Sequence, residues 1–100
     1  MGEWSFFTNH ARAMLFIANQ PDARLRDLAG VLGVTERTAY GIVADLTEAG
    51  YVVKERDGTR NRYHIQDQLP LGDALIRERT IGEVLDLLLG TKRRLRSRRR

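Results

Sequence analysis

The sequence predicts a mainly α fold with one small β-hairpin: a three-helix core, the hairpin and a C-terminal helix. Three observations predict it. Apolar residues recur at spacings of three and four in four separate segments, the period of a helix with one buried face. A single stretch, residues 51–66, is instead β-branched, aromatic and alternating around the turn signal Asp57-Gly58. The chain has 100 residues, 42% of them hydrophobic. That suffices for one modest core, since a chain of this size buries only about 60–65% of its unfolded surface. A large catalytic cleft between two domains is excluded on the same ground. Residues 1–90 are expected to form the domain, and 91–100 a disordered basic tail.

The first helix lies within WSFFTNHARAMLFIANQ, residues 4–20. Thr8 or Asn9 supplies the N-cap, because a short side-chain oxygen accepts from the free N–H groups of the first turn. Ala11, Met14, Leu15 and Ala18 form one face, which Phe16 and Ile17 broaden. Trp4, Phe6 and Phe7 precede the cap and can pack back onto the helix. Pro21 ends it, since the residue before a proline is pushed out of the helical region. Residues 23–26, ARLR, can form a short third strand. A short helix, 27–32, follows with Leu28 and Leu32 on one face, and Gly33 suits the left-handed position after its end. Thr35 caps the next helix, 36–49, whose apolar stripe is Ala39, Ile42, Val43 and Leu46, and Gly50 closes it. The hairpin then places Tyr63 and Ile65 on one face and Arg62 and His64 on the other. Pro70 and Gly72 mark a loop. Thr80 and Glu83 make a capping box for a helix running to Leu89, with Ile81, Val84, Leu85 and Leu88 on one face and Gly90 as its stop. Helix, short strand, helix, helix, hairpin, helix is the order of a winged helix-turn-helix.

The functional signal is concentrated in residues 25–52, LRDLAGVLGVTERTAYGIVADLTEAGYV. Two short helices joined across Leu32-Gly33-Val34-Thr35 match the tight glycine-containing turn of a helix-turn-helix. Leu28, Val34, Ile42, Val43 and Leu46 lock the pair at a steep angle. The first turns of the second helix are then free to enter a major groove. Its exposed positions are Glu36, Arg37, Thr38, Tyr40, Gly41 and Ala44. Arg37 can pair bidentately with guanine O6 and N7, while Thr38 and Tyr40 reach phosphate or base edges. Gly41 leaves room for close backbone approach. The plainer alternative is that Glu36 and Arg37 are a solvated helix start. The hairpin carries Lys54, Arg56, Arg60 and Arg62, suited to sugar-phosphate or to a narrow minor groove; alternatively these charges pair with Glu55 and Asp57. Residues 35–64 hold five basic and five acidic side chains. Affinity therefore depends on how the signs are arranged in space.

Here the chain resembles the small stand-alone winged helix-turn-helix regulators of bacteria, loosely grouped with the MarR and ArsR types. The resemblance is carried by WSFFTNHARAMLFIA, by residues 25–52, by RNRY at 60–63 and by TIGEVLDLLL at 80–89, and it spans Trp4 to about Leu89. It implies sequence-specific binding of double-stranded DNA and transcriptional control. It places Thr35, Glu36, Arg37, Thr38, Tyr40 and Gly41 at the recognition helix, and Arg60 and Arg62 at the wing. It implies neither a target nor a ligand. The metal-sensing sites of the ArsR type do not carry over, because Cys is absent and only two His occur. The longer flanking dimer helices of the usual MarR chain are also missing.

Charge is asymmetric. Residues 92–100, KRRLRSRRR, carry seven positive charges, leaving 17 − 7 = 10 basic residues against 13 acidic ones in the rest. The tail, beginning with Lys92, Arg93 and Arg94, is expected to hold phosphates or lie in a minor groove; otherwise it is a solubilising segment. Leu87 and Leu89 fall outside the stripe of the last helix. They predict a homodimer contact through Trp4, Phe7, Leu85, Leu87, Leu88 and Leu89, or else packing of that helix against Trp4, Phe6 and Phe7. No apolar run approaches membrane-spanning length and no signal-peptide pattern opens the chain, so a cytoplasmic protein without a membrane partner is expected. His10 and His64 lie far apart with no Cys, so neither metal nor cofactor is expected. Gly30 and Gly33 lack the Lys-Ser/Thr of a phosphate loop and no Ser has a candidate base, which argues against an enzyme. Regulation would come from a small molecule at the dimer interface, a partner or abundance. Two rival readings remain: a non-specific nucleic-acid-binding accessory protein driven by the tail, and a winged-helix protein-interaction adaptor.

Overall fold

The computed structural model describes residues 5–58, 60–72, 75 and 79–90, with the side chains of Asp57 and Arg60 left aside. Trp4 and the whole of 91–100, including Lys92, Arg93 and Arg94, lie outside the described residues. The described chain is mainly helical: α1 (Asn9–Asn19), α2 (Leu25–Leu32), α3 (Glu36–Glu48), β1 (Val52–Asp57), β2 (Arg60–Ile65) and α4 (Ile81–Leu89). The two strands pair antiparallel.

Helix α1 starts where Thr8 Oγ1 accepts from the Ala11 N–H at 3.1 Å. Its buried residues are Ala13, Met14 and Ile17. The core-facing stripe is thus rotated from the Ala11–Ala18 face that the spacing predicts; Leu15, Phe16 and Ala18 border the core instead. Four neighbouring elements pack on this helix, α2, α3, α4 and β2, so more than one of its faces is covered.

Residues 23–26 are not a strand. The sheet has two strands, and Leu25 and Arg26 already belong to α2. The chain meets β2 just before this segment, where the Tyr63 N–H donates to the Pro21 carbonyl at 3.3 Å. It then turns into the helix because Asp27 Oδ2 accepts from the Arg24 N–H at 3.1 Å. A carboxylate three residues after the cap satisfies an otherwise free donor and suits the positive end of the helix.

The connection from α2 to α3 is residues 33–35. Gly33 takes φ +73°, and the Val34 N–H closes back on the Ala29 carbonyl at 3.0 Å. Arg12 Nη2 reaches across from α1 to donate to the Val31 carbonyl at 3.1 Å, covering the end of α2. Leu28, Leu32, Ala39, Ile42, Val43 and Leu46 are all buried in one core, with Val34 packed against it. This interlock fixes the crossing of the two helices. Helix α3 ends at Glu48, one residue earlier than its periodicity suggests, with Gly50 at φ +88°.

The hairpin register pairs Val52 with Ile65, Lys54 with Tyr63 and Arg56 with Asn61, and on the other face Val53 with His64 and Glu55 with Arg62. Val52 is the side chain that roots the hairpin in the core. The segment after it is tied back by Tyr51 Oη, which donates to the Leu71 carbonyl at 3.3 Å. Both halves of the Thr80–Glu83 capping box form, at 2.9 and 3.2 Å. Gly82 is packed so closely that a Cβ there would lie 2.8 Å from Asp67 Cβ and 3.1 Å from its carbonyl oxygen. Ile81 and Leu85 are buried against the core. Leu85 therefore cannot belong to a dimer surface: its place on the predicted stripe is the place that the core takes. Among the described residues no helix is long and apolar enough to cross a membrane.

Candidate nucleic-acid interface

Helix α3 presents two contrasting faces. Its buried side is held by the interlock with α2, while Glu36, Arg37, Thr38, Tyr40, Gly41 and Ala44 are all exposed on the other. Thr35 Oγ1 accepts from the Thr38 N–H at 3.0 Å and lies 3.1 Å from the Thr38 hydroxyl. These two threonines are thus partly committed to capping the helix. Among the described residues Arg37 has no hydrogen-bond or ion-pair partner, and Tyr40 is 62% exposed. His10 Nε2 sits 2.8 Å from Asp45 Oδ2, pinning α3 to α1 away from this surface.

Gly41 is unusual. Its φ lies outside the positive range, and a Cβ built there would meet nothing within 4 Å. Neither backbone conformation nor packing requires a glycine at this position. A mid-helix glycine costs about 1 kcal/mol relative to alanine. The position is a bare patch of helix backbone at the middle of the exposed face.

The hairpin charges are divided between bound and unbound states. Lys54 has no ion-pair or hydrogen-bond partner among the described residues and shares its face with Tyr63. Arg56 folds back, its Nε donating to the Gly58 carbonyl at 3.2 Å. Arg62 Nε lies 2.7 Å from Asp22 Oδ1, near enough for an ion pair but out of line for a hydrogen bond. Glu55 is taken by His64, Nε2 to Oε1 at 2.6 Å, rather than by an arginine. An exposed pair of this kind is worth only about 0–1 kcal/mol. Arg62 can therefore be drawn to a phosphate at small cost. The Arg60 side chain lies outside the described residues.

Between α3, the hairpin and the start of α2 runs an open groove of about 470 Å³. Asp22, Arg24, Tyr40, Lys54, Asn61 and Tyr63 line it. Burial raises the Tyr63 hydroxyl above its ordinary value of 10.0, and the neighbouring Tyr40 adds to the shift. Tyr63, like an ordinary tyrosine, is a neutral hydrogen-bond donor near neutral pH. Sequence spacing brings Tyr40 and Lys54 to this region but misses Arg24, Asn61 and Tyr63, which reach it only through the Pro21–Tyr63 contact and the strand register.

Of the residues expected at a dimer contact, Leu87 is 79% exposed and Leu88 is also exposed, while Phe7 and Leu89 are half-buried. Phe6, 83% exposed, stacks edge-on against Phe7 with centroids 5.1 Å apart. Among the described residues no group of three or more His, Cys, Asp or Glu side chains is placed to hold a metal.

No family model, curated protein or solved structure matches this chain.

Proposed function

We propose that the chain is a winged helix-turn-helix domain that binds double-stranded DNA sequence-specifically and controls transcription by occupying its sites. Helix α3 enters the major groove and the hairpin lies along the sugar-phosphate backbone. The carrying observation is the outward face of α3: an unpartnered Arg37 beside a glycine that the fold does not need. A solvated helix start would account for Arg37 alone. It gives no reason for the bare backbone at Gly41, whereas close approach of a duplex does. Arg37 reads a guanine edge, and Lys54, with Arg62 released from Asp22, holds phosphate. The basic tail adds sequence-independent attraction. The resemblance of the sequence to small bacterial regulators supports the same reading, and the apolar surface at Leu87 and Leu88 supports a homodimer.

The test is Arg37→Met, measured by fluorescence anisotropy on a duplex selected by the protein and on a scrambled duplex. Loss of a bidentate guanine contact lowers affinity for the selected duplex by about 1–3 kcal/mol and leaves the scrambled duplex nearly unchanged. Equal loss on both would reduce Arg37 to a phosphate contact and remove α3 as the reading helix.

A further inference from the structure

We propose that the groove between α3 and the hairpin binds a single nucleotide unit, its phosphate between Arg24 and Lys54 and its base against Tyr40 and Tyr63. This goes beyond duplex recognition, although it shares Tyr40 and Lys54 with that surface. Size, charge and shape of the groove each bear on it.

A volume of about 470 Å³ is far more than a lone phosphate fills. It falls in the range of small-ligand sites, roughly 300–1,000 Å³. The charges favour an anion. Arg24 and Lys54 are two cations in its lining, one from the α2 N-cap and one from β1. The acid in the lining, Asp22, lies 2.7 Å from the guanidinium of Arg62, and even with Arg62 turned away to phosphate two cations in the lining face one acid. The remaining field is positive.

The body of the ligand is specified by the other walls. Tyr40 and Tyr63 offer two aromatic surfaces, and stacking on such rings is tolerant of base identity. Their hydroxyls add donors, protonated near neutral pH as tyrosine hydroxyls ordinarily are. The Asn61 carboxamide, with one acceptor and two donors, can meet a base edge. Two cations, two aromatic rings and one amide around a nucleotide-sized space are the groups that a nucleotide uses. The same unit can come from a free mononucleotide or from a nucleic-acid strand laid along the groove.

Titration calorimetry of the full chain with adenosine 5′-monophosphate, adenosine and inorganic phosphate reads the site directly. The nucleotide is expected to bind, with adenosine and phosphate each weaker by about tenfold or more, the worth of one charge-assisted hydrogen bond. Lys54→Met and Tyr40→Ala each lower nucleotide affinity about tenfold. Arg26→Met, an exposed cation outside the groove, leaves it unchanged, and thermal melts confirm that all three variants fold. Displacement of a labelled duplex by the nucleotide identifies a free nucleotide as the occupant. A silent nucleotide titration, with Arg24→Met and Asn61→Ala, two groove residues outside the proposed duplex contacts, weakening selected and scrambled duplexes by the same factor, identifies the strand. If the nucleotide binds but no duplex does, the groove stands while the DNA-binding reading falls. Silence of the nucleotide together with duplex affinity unaffected by either substitution overturns the proposal.

Discussion

Gly41→Ala separates the needs of the fold from the needs of a partner. The added Cβ meets nothing within 4 Å, and the backbone there is ordinary helix. The substitution therefore removes the entropic penalty of glycine and adds no clash. The gain is about 0.8–1.0 kcal/mol, the difference in helix propensity. For a domain of this size that raises Tm by about 4–8 °C, readable by far-ultraviolet circular dichroism. If α3 lies against DNA at this position, the same methyl holds the helix off the groove. Overpacking of a close contact costs about 1–3 kcal/mol, so the affinity for a selected duplex falls about tenfold or more. The expected result is a more stable protein that binds less well. A variant that is more stable and binds equally well would show that no partner closely approaches Gly41, and the functional argument from this glycine would be lost.

Three further outcomes are expected. Gly82→Ala has the opposite sign on stability, costing about 1–3 kcal/mol, because its Cβ would lie 2.8 Å from Asp67 Cβ; urea melts check it, and an unchanged midpoint would contradict the close packing. Leu87→Glu places a charge on the exposed face of α4 and is expected to convert a dimer to a monomer in sedimentation equilibrium without lowering Tm; a monomeric parent chain would remove the dimer. Tyr63 is raised above 10.0 by burial, so its contribution to stability is present below that pH and is lost as pH rises towards the folded value, since the unfolded chain ionises first. Phenolate absorbance during alkaline titration of the parent chain and Tyr63→Phe tests this, the variant losing the late-titrating component.

Much of the fold was legible because local chemistry and periodicity agreed. Thr8, Thr35 and Thr80 each read as a cap and each accepts the expected N–H. The stripe Ala39, Ile42, Val43 and Leu46 is buried as its spacing implies. Departures arise where tertiary partners decide. The burial of α1 is centred on Ala13, Met14 and Ile17 because three helices pack on it, and periodicity cannot say which apolar flank faces which neighbour. Residues 23–26 suit either strand or helix, and the Asp27–Arg24 bond tips them; the acidic residue three positions after the cap was the available signal. Leu85 read both as part of the last helix's apolar stripe and as a dimer contact, and the core takes it.

The candidate site was legible in part for the same reason. The exposed positions of α3 follow from helical period alone. The fate of each hairpin charge does not. Arg62 finds Asp22 forty positions away in sequence, and Glu55 finds His64 through strand register. The groove was invisible because its walls come from three separate segments.

The central claim is that α3 reads duplex sequence, and selection from a random duplex pool tests it most directly. The full chain and its Arg37→Met variant would be run in parallel at about 150 mM salt, where non-specific attraction is largely screened. The account predicts an enriched motif for the parent chain that the variant loses or relaxes at one base pair, with two-fold symmetry and half-sites about one helical turn apart if the dimer forms. Retention of DNA without any enriched sequence, identical in both chains, would contradict it.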